Sequence, residues 1–178
     1  MKEPQNMKNF KFTYLLISIL ITGCGFHLRG SQDFSKILPE VNVSGINKHS
    51  DLGRELLRSL TAAKVNVLDE SSTVLRITND SFSKRVLSVD SAGRANQYEL
   101  QYNVAFTLVK TLGNRKQEII DLIPSQNIIV KREYLFDANL ILAAQDEENR
   151  LKKNMRESAM LQLMRYLKFS LKENKEVN

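Results

Sequence analysis

The apolar residues change their spacing several times along the chain, and each change marks an element. An almost unbroken apolar run fills residues 12–21. Residues 41–46 then alternate apolar with polar, the period of a half-buried strand. Leu52, Glu55, Leu56, Ser59, Leu60 and Ala63 recur at helical spacing, with Ser50 or Asp51 able to cap the helix and Arg54, Arg58 and Lys64 on its polar face. Residues 65–68 form a short second strand, and a period near two returns in residues 74–78 and 82–89. After a turn over residues 90–96 comes the clearest strand of the chain. It sets Tyr98, Leu100, Tyr102, Val104, Phe106 and Leu108 on one face and Gln97, Glu99, Gln101, Asn103, Ala105 and Thr107 on the other. Leu112-Gly113-Asn114-Arg115 reads as a hairpin tip, because Gly and Asn accept positive φ. The return strand starts at Glu118, is broken or bulged at Pro124 and resumes over residues 128–134. Residues 138–171 are helical, with Asp137 as cap, and the polar residues after Glu173 fray. This order predicts an α+β fold: one mixed or antiparallel sheet, helices on one face, the other face unusually exposed.

The first apolar run is an address rather than a span. Lys2, Lys8 and Lys11 precede it against a single Glu3. As a helix it would cover only about 15 Å, half the hydrocarbon thickness. Met7 begins a complete leader of its own and is an equally good start. The run ends in Ile21-Thr22-Gly23-Cys24, which resembles the lipobox of bacterial lipoproteins. The resemblance implies that Cys24 is acylated on sulfur and nitrogen and becomes the first mature residue. Gly25 in place of the aspartate that retains such proteins at the inner membrane implies the outer membrane. The plainer reading of Cys24 is a small buried residue behind an ordinary leader. Residues 1–23 are then a signal peptide, 24–40 the lipidated cysteine and a tether, 41–172 the domain and 173–178 a polar tail.

Composition agrees with one ordinary globular domain: 178 residues, 42% hydrophobic and 26% charged. A single cysteine excludes an intramolecular disulfide and any multi-cysteine zinc site. Formal charge is +6 for the full chain; the leader carries three Lys and one Glu, so +4 remains after its removal. Chemistry-bearing motifs are scarce. His27 lies in the tether and His49 before the first helix, and there is neither a phosphate-binding glycine loop nor a serine-nucleophile motif. Asp146-Glu147-Glu148 reads as a solvated helix turn, since adjacent helical residues point apart. The chain is therefore expected to be no enzyme and to need no metal or cofactor beyond its lipid. Lys84-Arg85, Arg94, Arg115-Lys116, Lys131-Arg132 and Lys152-Lys153 read mostly as solvated charges, some of which could meet an anionic partner on the exposed sheet face or its turns. An export signal argues against nucleic acid as that partner.

Cys24-Gly25-Phe26-His27-Leu28-Arg29-Gly30 closely resembles the start of mature proteins of the LptE family of lipopolysaccharide-assembly lipoproteins. The likeness continues through the strand and helix after Pro39, the Gly93 turn, Tyr98-Glu99-Leu100, and Phe136-Asp137 before a helix containing Asp146-Glu147. It implies a two-layer sandwich of a roughly four-stranded sheet and two helices. It also implies a lipid-anchored protein on the periplasmic side of the outer membrane that plugs and assists assembly of the LptD β-barrel and helps deliver lipopolysaccharide. A general envelope scaffold without lipopolysaccharide contact is the alternative. The family's ligand-contacting basic positions fall on Ser91 and Gln145 here, so those charges do not carry over. Lys84, Arg85 and Arg94 are the neighbouring candidates.

Overall fold

The structure is a computed structural model that describes residues 34–112 and 118–176. The leader, Cys24, His27, the first part of the tether and the hairpin tip at residues 113–117 lie outside the described residues. The strands are β1 (Glu40–Ser44), β2 (Asn66–Val67), β3 (Thr73–Val89), β4 (Ala95–Leu112) and β5 (Glu118–Leu135), and the helices are α1 (Asp51–Ala62) and α2 (Ile141–Glu176). The sheet order is β2-β1-β3-β4-β5. β1 runs parallel to both β2 and β3, while β3, β4 and β5 are antiparallel. The α+β sandwich is as expected, with five strands rather than four because the two-residue β2 pairs beside β1.

One core joins both helices to one face of the sheet. Leu100, Tyr102, Val104, Phe106 and Leu108 of β4 are completely buried in it, together with Leu52, Leu56 and Leu60 of α1 and Met155, Ala159, Leu163 and Leu167 of α2. At about 1.5–3 kcal/mol for each large apolar side chain, the five β4 residues alone contribute roughly 10 kcal/mol of gross burial. Phe34 and Leu38, in the stretch read as tether, also belong to this core, and a 3-10 turn at Phe34–Lys36 holds them there.

Local chemistry explains where the elements begin. Ser50 caps α1, its hydroxyl accepting from Gly53 N at 3.0 Å. Asp137 does not cap α2. Its carboxylate accepts from Asn139 N at 2.8 Å, closing a turn one residue before the helix proper, the usual preference of an aspartate free to bond two residues ahead. α2 continues to Glu176, through most of the tail expected to fray.

Bulges decide which side chains face the helices. β3 is one strand, not two, with a register shift between Ile77 and Asn79. Ile77 faces Phe106 across the ladder and Asn79 faces Ala105, so Thr78 is the extra residue. A one-residue insertion transfers every later side chain to the opposite face. Before the bulge Leu75 and Ile77 point to the core; after it Phe82 and Lys84 oppose the buried Tyr102 and Leu100. Pro124 lies in a second bulge, where the β4–β5 pairing passes from Phe106 with Gln126 to Leu108 with Ile123.

Candidate functional site

Lys84 therefore stands on the helix side of the sheet, under the first half of α2. Its ammonium donates to Glu148 Oε2 at 2.7 Å and sits 4.0 Å from the ring centre of Tyr98 and 5.3 Å from that of Tyr134. Tyr134 donates its hydroxyl to the same carboxylate oxygen at 2.6 Å, and Lys152, one turn along α2, binds Glu148 Oε1 at 2.6 Å. Phe136 packs edge-on against Tyr98 at 5.4 Å. This aromatic floor and ion cluster border a hollow of about 260 Å³, which Gln145, Ile141 and Ala144 also line. Lys84 and Gln145 thus share one hollow.

Burial works against ionisation of Glu148, but the bonds donated by Lys152, Lys84 and Tyr134 outweigh it and hold its carboxyl down at about 2. For Lys84, too, burial disfavours charge and is overcome by Glu148 and Tyr134, so its ammonium is held above the ordinary lysine value. A carboxylate whose folded pKa lies below the unfolded one adds stability that is fully present above the unfolded value of 4.5 and fades as pH falls toward 2. Glu148→Gln should accordingly cost about 2 kcal/mol at pH 7. Urea denaturation at pH 7 and at pH 2.5 checks this: the difference from the native sequence should shrink at the lower pH.

Arg85 points the opposite way from Lys84. On the open face of the sheet it donates to Glu99 Oε1 at 2.7 Å, while Lys131 approaches the same oxygen at 3.8 Å. Arg85 holds the Glu99 carboxyl below the ordinary carboxylate range. Around them the face is largely polar by register: Ser83 and Lys131 flank Gln101, Ser81 flanks Asn103, and Gln97 bonds Glu133, with Ile129 and Leu135 as exposed apolar side chains on the β5 side. Arg94 is elsewhere again, in the β3–β4 turn with Ser91. Asp90 accepts from the backbone N–H groups of Arg94 and Ala92 and from the Arg94 side chain, so its carboxyl is also lowered. The three cations chosen from sequence occupy three places, and each has a carboxylate partner.

Two parts of this arrangement were not anticipated. Glu148, read as one of three solvated acids, is the acceptor at the centre of the Lys84 cluster. The spacing of Glu148 to Lys152, i to i+4 in the favourable orientation, was the available signal. A second cleft, of about 420 Å³, separates α1 from α2 and is lined by Arg54, Arg58, Lys152, Lys153 and Arg156 against Asp51 and Glu55. Asp51 bridges the helices by accepting from Arg54 and from Arg156, which also lies over the Phe82 ring. Among the described residues no group of three His, Cys, Asp or Glu side chains could hold a metal ion, and no helix is long and apolar enough to cross a membrane.

Fold and site together define a two-layer α+β domain with one helix-covered and one open, largely polar sheet face, the candidate cations Lys84, Arg85 and Arg94 each tied into an ion pair. A family model described as LptE, lipopolysaccharide-assembly, matches residues 38–167, and the chain belongs to that family. It is 29% identical over 167 residues to the LPS-assembly lipoprotein LptE of Photorhabdus laumondii, covering 90% of this chain and 87% of that one. To the protein of the same name in Pectobacterium atrosepticum it is 26% identical, also over 167 residues, covering 90% of this chain and 86% of that one. Among solved structures it is similar to rare lipoprotein B of Shewanella oneidensis, with a TM-score of 0.60 and 28% identity over 75% of this chain and 98% of that one.

Proposed function

We propose that the protein is an outer-membrane lipopolysaccharide-assembly lipoprotein, anchored on the periplasmic side through lipids on Cys24, that plugs and assists assembly of an LptD-like β-barrel and helps deliver lipopolysaccharide to the outer leaflet. The observation that carries this reading is family membership over residues 38–167. Relatives named as LPS-assembly lipoproteins over nearly the whole chain support the lipid anchor, as does the lipobox-like Ile21-Thr22-Gly23-Cys24. Gly25 supports the outer membrane. The polar open face, with the rows Ser83-Gln101-Lys131 and Arg85-Glu99-Glu133, suits contact with the polar interior of a barrel.

Lys84, Arg85 and Arg94 are the proposed lipopolysaccharide contacts. Guanidinium forks and lysine ammoniums suit the phosphates of that ligand. Arg94 has the freest approach, its side chain 72% exposed at a turn. Arg94→Asp would set a second carboxylate beside Asp90 and should weaken lipopolysaccharide binding several-fold in a pull-down or fluorescence titration. Unchanged binding would remove Arg94 from the site.

A further inference from the structure

The cleft between α1 and α2 lies outside the ligand contacts proposed above, and its walls are fixed. Leu52 and Leu56 hold α1 in the core, and Met155 and Ala159 hold α2. Arg156 is held from two sides: it donates to Asp51 at 2.9 Å, and its guanidinium carbon lies 5.2 Å from the centre of the Phe82 ring, which stacks on the buried Tyr102. Arg54 and Arg58 stand one turn apart on α1, as Lys152 and Arg156 do on α2, so each wall carries a pair of cations. Lys153 adds a fifth, and it forms no ion pair among the described residues. Two carboxylates line the cleft with them, and Asp51 is divided between Arg54 and Arg156. Glu148, outside the lining, draws Lys152. With it counted, five cations still face three carboxylates.

A surplus of fixed cations calls for a polyanion, and the other lining groups decide which kind. Guanidinium forks and ammoniums suit phosphate oxygens. Asp51, Glu55 and the side-chain carbonyl of Asn149 accept hydrogen bonds, so they are matched by a ligand that brings hydroxyl donors. A saccharide brings them; the side chains of an acidic peptide bring only more carboxylates. The cleft, at about 420 Å³, has room for a ligand of small-molecule size and more than a single phosphate needs. Asn149 and Lys152 also line the hollow of Lys84, so the two hollows are neighbours along α2.

We propose that the cleft between α1 and α2 binds a phosphorylated saccharide, the phosphate-bearing glycan of the same lipopolysaccharide that Lys84 contacts next door. Recognition of a phosphorylated saccharide stands on the cleft alone; lipopolysaccharide as its source rests on the proposed function. Arg54 and Arg58 are 59% and 68% exposed, so they are open to a ligand that shares a barrel lumen with the domain. Phosphate oxygens take up the surplus charge of Arg58 and Lys153, while sugar hydroxyls donate to Asp51, Glu55 and Asn149.

The test is calorimetric titration of the mature protein in detergent with fully deacylated lipopolysaccharide, a water-soluble glycan that keeps its phosphates. It should bind, and the same glycan dephosphorylated with hydrogen fluoride should bind at least about tenfold more weakly. Arg58→Gln with Lys153→Gln should lower affinity for the phosphorylated glycan at least about tenfold. Thermal melting of that variant should stay as in the native sequence, because both side chains are exposed. Lys153→Arg, which keeps the charge, should bind as the native sequence does. Neither inorganic phosphate nor an oligoglutamate peptide at equal concentration should displace the glycan. Displacement by phosphate would make the cleft a simple phosphate site, and displacement by oligoglutamate an acidic-peptide site; either would overturn the proposal. Equal binding of the dephosphorylated glycan, or of the double variant, would overturn it as well. Intact lipopolysaccharide retained in a pull-down without binding of the deacylated glycan would sink the cleft and leave the proposed function standing. Glycan binding by a protein that recovers no barrel would do the reverse.

Discussion

Cys24→Ala should abolish incorporation of labelled palmitate, and the mature variant, purified free of any barrel partner, should lose the partitioning into lipid vesicles that the acylated protein shows. The thiol is the only nucleophile at the end of the leader that can take a thioether-linked lipid, and alanine offers none. Three acyl chains, at about 0.8 kcal/mol per buried methylene, hold a protein far beyond the marginal anchoring of a single chain. Losing them should change partitioning by orders of magnitude. The fold should not change, because the core begins at Phe34, ten residues further on. Thermal melting of the variant should therefore match that of the native sequence. Palmitate retained by the Cys24→Ala protein would overturn the assignment of the lipid site.

Gly45→Ala is the substitution that should harm the fold most for its size. Gly45 follows β1 with φ of 79°, a conformation that costs an L-residue about 1–2 kcal/mol. A methyl there would also stand 2.1 Å from the carbonyl oxygen of Ile77, a backbone atom of the neighbouring strand that cannot rotate away. Relief requires β1 to part from β3 beside the Ser44–Arg76 pair. The expected loss is about 3–5 kcal/mol, a large share of the roughly 5–15 kcal/mol that hold a domain. Gly93 provides the control. Its φ is 78°, but nothing lies within 4 Å of the added methyl, so Gly93→Ala should cost only about 1 kcal/mol. Denaturant melts of the two variants check this; equal losses would show that the contact with Ile77 is not what makes Gly45 necessary.

The strand and helix order was legible because it rests on period alone. The alternation from Tyr98 to Leu108 placed β4 and its core face correctly, and the helical spacing of Leu52, Leu56 and Leu60 did the same for α1. The two-residue β2 also fell inside a stretch read as strand, but nothing so short announces that it will extend the sheet. The candidate site was less legible, for a definite physical reason. Lys84 and Arg85 are neighbours in sequence and were put forward together as candidate ligand contacts. Thr78, inserted upstream as a bulge, decides which of them faces the helices, and nothing in its side chain marks it as the extra residue. The cluster at Lys84 depends on that parity, since only the helix side offers Glu148, Tyr98 and Tyr134. Arg94 was easier to place, because Asp90, Gly93 and the intervening small residues define a turn in the sequence itself.

We propose that this domain works as the plug of a lipopolysaccharide-translocating barrel. Affinity purification of the native, acylated protein from detergent-solubilised outer membranes tests it most directly. One large, heat-modifiable β-barrel should be recovered in near-equal amount, retained through washes that remove other envelope lipoproteins. Recovery of the protein without such a barrel would contradict it.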